Sequence, residues 1–215
     1  MSIPEQIVSA ARSLFDRGYS YGTSGNISVR DGGRVWITPT NSSFGTLRPQ
    51  EMALIGLDGA PISPDPGNPS PKPSPKASKE AHFHLAAYRA RPSAAAVVHL
   101  HSTYATAVAS LRDIDMEDAL PVFTPYFAMR IPKLAVVDYY PPGDPALGPA
   151  VEARAAETPA ILLRNHGPIT IGDTLDAAVA LAEELEEQSR LYFILEGRGN
   201  PLTADQIAEL RRRFR

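Results

Sequence analysis

The tripeptide Asp31-Gly32-Gly33 constrains the fold of this chain more than any other short stretch. It separates two β-prone runs, Asn26-Ile27-Ser28-Val29-Arg30 and Val35-Trp36-Ile37-Thr38, and so predicts a tight hairpin. Consecutive antiparallel strands argue against a doubly wound parallel sheet, whose strands alternate with long crossover helices. A capping box, Ser2-x-x-Glu5, opens a first helix whose Ile7, Ala11, Leu14 and Phe15 share one face and which Gly18 ends. Further along, patterning predicts strands over Met52 to Leu57, Ala94 to Leu100 and Ala160 to Leu163. Helices are expected over Ser78 to Arg91, Thr103 to Leu111, about Pro145 to Glu157, Thr174 to Glu196 and Thr203 to Arg213. Asp113 to Asp144 reads as irregular with short strands. An α/β protein with a mixed or antiparallel sheet layered with helices accounts for this order.

Seven prolines fall between Pro61 and Pro75, which excludes helix or central strand there and predicts an extended surface loop. That loop is too short to divide two domains, so residues 1–215 read as one domain. The chain has no cysteine, so any metal must be held by His, Asp or Glu, and a reducing compartment suits it. A net charge of −3 points to neither a nucleic-acid nor a membrane surface. Met1-Ser2-Ile3-Pro4-Glu5 does not resemble a signal peptide, and no apolar run approaches a membrane span, so a cytoplasmic protein is expected. The acidic cluster of Glu183, Glu184, Glu186 and Glu187 reads as the solvated side of its helix, and Arg211-Arg212-Arg213 as a surface tail.

Chemistry concentrates at the strand ends. His99 and His101 flank Leu100, and on an extended strand alternate side chains share a face. Two imidazoles so placed make half of a metal site or are ordinary polar residues at a strand end. His166 stands after a second apolar run, in the turn Arg164-Asn165-His166-Gly167, and would complete a three-histidine site with an open coordination position. Glu80, at the start of the helix feeding the His-x-His strand, is stabilised by the helix dipole or serves as an acid/base. His84 shares the helix face of Glu80, whereas His82 points elsewhere. Gly22-Thr23-Ser24-Gly25-Asn26 and Thr38-Pro39-Thr40-Asn41-Ser42-Ser43 are either turns or anion-binding loops. Lys79 adds a positive charge beside Glu80 or is simply solvated.

Several motifs occur together in one order: Gly-Thr-Ser-Gly-Asn-Ile-Ser-Val-Arg (22–30), Ile-Thr-Pro-Thr (37–40), Lys-Glu-Ala-x-x-His (79–84), Val-Val-His-Leu-His-Ser (97–102) and Asn-His-Gly (165–167). In these the chain resembles the class II aldolase/adducin family over nearly its whole length. The resemblance implies a three-layer α/β/α fold around a central mixed, mainly antiparallel sheet, assembled as a homotetramer. It implies a divalent metal, zinc, on His99, His101 and His166, with Glu80 as acid/base. It implies phosphate binding at Thr23, Gly25, Asn26, Thr40 and Ser78, with Asn41 and Ser42 as further substrate-binding candidates in the same loop. Asn41, Lys79, Thr38 to Gly45 and Tyr140 to Ala146 depart from the sugar-phosphate aldolases and look more like the 3-oxo-tetronate 4-phosphate decarboxylase branch. That branch implies a metal-dependent conversion to dihydroxyacetone phosphate and CO2 through a metal-bound enediolate. Lys79 is the candidate either to hold the departing carboxylate or to bind the phosphate, and Tyr126 a candidate to reach an adjacent site. A fuculose- or ribulose-phosphate aldolase is the alternative on the same ligands, and an adducin-like module without catalysis is a second.

Overall fold

The computed structural model describes residues 1–63 and 75–214, so most of the proline-rich stretch expected at 61–75 lies outside the described residues. Helix α1 (Ile3–Asp16) is followed by strands β1 (Asn26–Asp31), β2 (Arg34–Ile37) and β3 (Ala53–Gly56). Helix α2 (Ala81–Ala90) leads to β4 (Ala96–His99), α3 (Thr103–Ala109) and α4 (Pro125–Arg130). The chain continues through β5 (Ala135–Val137), α5 (Leu147–Glu157), β6 (Ala160–Leu163), β7 (Gly167–Gly172), α6 (Leu175–Leu195) and α7 (Ala204–Arg213). All seven strands join one sheet in the order β3-β2-β1-β4-β7-β6-β5. Among the described residues only the edge pair β5–β6 is parallel, and the other strand pairings are antiparallel.

Side-chain alternation separates the layers. Val97 of β4, with Ile161 and Leu163 of β6, packs with Phe83 and Leu85 of α2 and Leu147 and Val151 of α5. Ala96 and Val98 point the other way, with Ile27, onto Ile7, Ala11 and Leu14 of α1 and Ala178 of α6. Ala160 and Leu162 likewise meet Val108 of α3 and Leu185 of α6. The sheet therefore carries helices on both faces, the three-layer arrangement expected. Among the described residues no helix is long and apolar enough to cross a membrane.

Local chemistry accounts for the elements and for the departures from expectation. The hairpin closes through Gly32 and Gly33, with Asp31 opposite Arg34 and Gly32 at φ 59°. Helix α2 begins at Ala81 rather than Ser78, because the Ser78 carbonyl and hydroxyl accept the Ala81 and Glu80 N–H groups in a preceding turn. Strand β7 and helix α4 were not foreseen; Thr124 caps α4 by accepting from the Phe127 N–H. The acidic cluster on α6 is more than a solvated face. Glu186 accepts the Tyr104 and Ala105 N–H groups at the start of α3, Glu184 accepts the Thr124 hydroxyl, and Glu183 pairs with Arg17. Arg211 is no free tail either, since it donates to the Ala128, Ile131 and Pro132 carbonyls around the end of α4.

Candidate metal centre and cleft

The start of β1, the end of β4 and the start of β7 lie at one end of the sheet, where Asn26 pairs with His99 and His99 with Ile169. The turn after β2 reaches the same end. Thr40 donates to the Lys76 carbonyl and Ser78 to that of Thr38, which lays residues 76–78 alongside and delivers Lys79 and Glu80 to the strand ends.

The turn Arg164-Asn165-His166 joins β6 to β7, with Leu163 opposite Gly167. Asn165 takes the left-handed φ of 56°, a conformation asparagine tolerates better than most residues. A Cβ on Gly167 would sit 2.2 Å from the Leu100 carbonyl oxygen. Glycine there lets the turn press against the chain leaving β4, and so seats His166 beside its partners. The His166 ring centroid lies 4.8 Å from those of both His99 and His101.

His99 is fully buried, and its Nδ1–H donates to the Pro168 carbonyl at 2.9 Å, which leaves Nε2 bare. Phe83 packs edge-on against the ring. Nε2 of His99 and Nε2 of His101 are 3.1 Å apart, and the ligand atoms of the three histidines all lie within 4.8 Å of one another. Nitrogens about 2.0–2.1 Å from one tetrahedral ion stand roughly 3.3 Å apart, so this donor set fits a single divalent cation. Burial pushes His99 far below its ordinary pKa and lowers His101 as well, keeping both neutral as ligands must be.

Glu80 completes the cluster. Its Oε1 is 3.2 Å from His166 Nε2, its Oε2 is 3.6 Å from His99 Nε2, and Asn26 Nδ2 donates to Oε2 at 2.7 Å. Burial opposes ionisation, yet the electrostatic interaction with the neighbouring His99 ring and hydrogen bonds from His166 and Asn26 outweigh it and hold the carboxyl below the usual carboxylate range.

A cleft of about 180 Å³ opens over the cluster. Of the residues expected in the site, Thr23, Gly25, Asn26, Thr40, Asn41, Ser78, Lys79, Glu80, His101 and His166 line it. His99 lies beneath, wholly buried. Ser42 lines a neighbouring cavity instead, and its hydroxyl donates to the Pro39 carbonyl. Tyr126 is 61% exposed on α4, away from the cleft lining. Lys79 is exposed at the cleft without an ion-pair partner among the described residues. Ser24 and Pro39, from the two candidate anion-binding loops, join the lining, as do Pro142 and Gly143 of the Tyr140 to Ala146 motif. Ser28 and Tyr88, just below, were also unrecognised; their spacing from Asn26 and His84 was the available signal.

The family model described as the class II aldolase and adducin N-terminal domain matches residues 5–193. A protein of Pectobacterium atrosepticum named 3-oxo-tetronate 4-phosphate decarboxylase is 45% identical over 207 residues, covering 95% of this chain and 90% of its own length. The crystal structure of a candidate aldolase/epimerase/decarboxylase from Escherichia coli superposes with a TM-score of 0.90 at 41% identity, covering 97% of each chain. An L-fuculose 1-phosphate aldolase superposes with a TM-score of 0.85 at 24% identity over 99% of this chain and 95% of its own, a likeness of fold.

Proposed function

Because this chain belongs to the class II aldolase and adducin family, whose model spans residues 5–193, we propose that it decarboxylates 3-oxo-tetronate 4-phosphate to dihydroxyacetone phosphate and CO2. The observation that carries the proposal is Lys79, without an ion-pair partner among the described residues, beside Glu80 in one cleft with His101 and His166. A divalent cation, zinc in this reading, supplies Lewis-acid polarisation of a carbonyl oxygen when held by His99, His101 and His166.

The rest falls to the chain's own side chains. The C1–C2 bond of the β-keto acid breaks, C1 leaves as CO2, and the electron pair stays on C2, conjugated with the C3 carbonyl. One proton from solvent must then reach C2. Glu80, next to the triad and inside the cleft, is the group placed to relay it. Lys79 orients the carboxylate before it departs. Thr23, Gly25, Thr40, Asn41 and Ser78 line the cleft, and in this reading their hydroxyls and backbone N–H groups serve the phosphate. The reading extends to a cytoplasmic homotetramer in which Tyr126, exposed on α4, serves the cleft of a neighbouring subunit.

The test incubates the metal-loaded protein with both enantiomers of 3-oxo-tetronate 4-phosphate and, separately, with fuculose and ribulose phosphates. CO2 and dihydroxyacetone phosphate in equal amounts from one enantiomer support the proposal. Aldehyde release from a sugar phosphate without CO2 from the keto acid would establish an aldolase instead.

A further inference from the structure

A continuous chain of polar side chains runs beneath the cleft and ends on Glu80. Glu80, His84 and Tyr88 follow one another at four-residue spacing along the α2 segment, while Asn26 and Ser28 are two apart on β1. Those spacings set one row on a helix face and one on a sheet face. The rows interleave. The Tyr88 hydroxyl lies 2.8 Å from Ser28 Oγ, and Ser28 Oγ lies 2.8 Å from His84 Nδ1. His84 Nε2 meets Asn26 Oδ1, and Asn26 Nδ2 lies 2.7 Å from Glu80 Oε2. Ser28 and His84 are wholly buried, and Tyr88 and Asn26 are 2% and 4% exposed, so their hydrogen bonds are made inside the protein, within this row and, for Tyr88, also with the Val97 backbone.

The direction of donation follows from the last member. Asn26 Nδ2 donates to Glu80 Oε2 and Asn26 Oδ1 faces His84 Nε2, so the amide turns its NH2 to Glu80 and its carbonyl to His84. That places the His84 proton on Nε2 and leaves Nδ1 to accept from Ser28, whose oxygen accepts from Tyr88. Every donor points toward Glu80. Apolar side chains of the same volume would fill this layer at a smaller desolvation cost, as Phe83 and Leu85 do nearby, so packing alone does not account for it.

We propose that Tyr88, Ser28 and His84 are positioning residues that lock the Asn26 amide, so that it always holds Oε2 of Glu80 and leaves Oε1 to handle the proton. The proposal rests on the role given to Glu80 above. Without the N–H of His84 the amide is free to turn its carbonyl toward the carboxylate and push it out of line.

Two measurements on the metal-loaded full chain test this. Nitrogen-15 NMR of labelled histidine should show His84 protonated at Nε2 and bare at Nδ1; the opposite tautomer overturns the proposal whatever the reaction proves to be. In kinetics, His84→Leu should lower kcat by about tenfold to a hundredfold, the scale of a misplaced reacting group, with a smaller change in KM and unchanged metal content. His84→Gln, which still presents an N–H to Asn26, should recover most of that kcat. Equal loss in both variants would mean that the ring only fills space, and no loss in either would remove His84 from the reaction; each overturns the proposal. Should His84→Leu fail to fold, the tautomer and Ser28→Ala decide, the latter being expected to lower kcat more than it changes KM. A Glu80→Gln variant that turns over normally would sink the reading of Glu80 and leave the tautomer result standing by itself.

Discussion

The two faces of β1 and β4 carry opposite kinds of side chain. Toward α1 and α6 they present Ile27, Ala96 and Val98, all apolar and at most 1% exposed. Toward α2 they present Asn26, Ser28, Val97 and His99, equally buried but mostly polar. Burying the first set is favourable by itself, at roughly 25 cal/mol per Å² of apolar surface. Burying the second depends on partners for its polar groups: Ser28 has His84 and Tyr88, Asn26 has Glu80 and His84, and His99 Nδ1 has the Pro168 carbonyl. One face holds the sheet to its helices; the other spends packing volume on aiming groups at the cleft.

Substitutions on the two faces should therefore separate activity from stability. The largest effect is expected from His99→Ala, which should lose bound metal and all measurable turnover together while far-ultraviolet circular dichroism stays native. Metal analysis and CO2 release check it, and zinc-dependent turnover in the variant would refute the three-histidine centre. Gly167→Ala comes next. Its methyl group would meet the Leu100 carbonyl at 2.2 Å, so the turn must shift and carry His166 with it. Metal affinity should fall by about 10- to 100-fold, the scale seen when the support of a ligand is lost, and competition with a chelator measures it. Lys79→Ser should slow decarboxylation by roughly tenfold while metal content is unchanged, about the value of one charge-assisted hydrogen bond. An unaltered kcat/KM there would deny Lys79 its role. Leu14→Ala, on the apolar side, should leave kcat within experimental error but cost about 2–5 kcal/mol of stability in denaturant titration. A lowered kcat in that variant would blur the division between the faces.

Much of this division could be read from residue order. The hairpin, the His-x-His pair and the shared helix face of Glu80 and His84 follow from turn chemistry and from periods of two and of about four. Strand β7 escaped because Gly167-Pro168 at its start and Gly172 at its end look like loop punctuation, although Pro168 uses only its carbonyl there, toward Leu100 and His99. Helix α4 is six residues long, too short to show a period. In the site, the hydroxyl loops were visible as anion-binding candidates, but the engagement of Asn26 with Glu80 joins residues 54 apart and depends on the β1–α2 packing. Nothing local in the sequence singles out Ser42 from Asn41; only the turn, in which the Ser42 hydroxyl bonds back to Pro39, takes it out of the cleft lining. The links of Glu186 to α3 and of Arg211 to α4 are likewise long-range, and composition gives no sign of them.

The most direct test of the account is Glu80→Gln on the metal-loaded protein with 3-oxo-tetronate 4-phosphate as substrate. The amide preserves shape and removes the titrating oxygen, so metal content should stay at the wild-type level while CO2 release falls by about 10²- to 10⁴-fold, the usual worth of general acid–base catalysis. Wild-type turnover in a metal-replete Glu80→Gln variant would contradict the account.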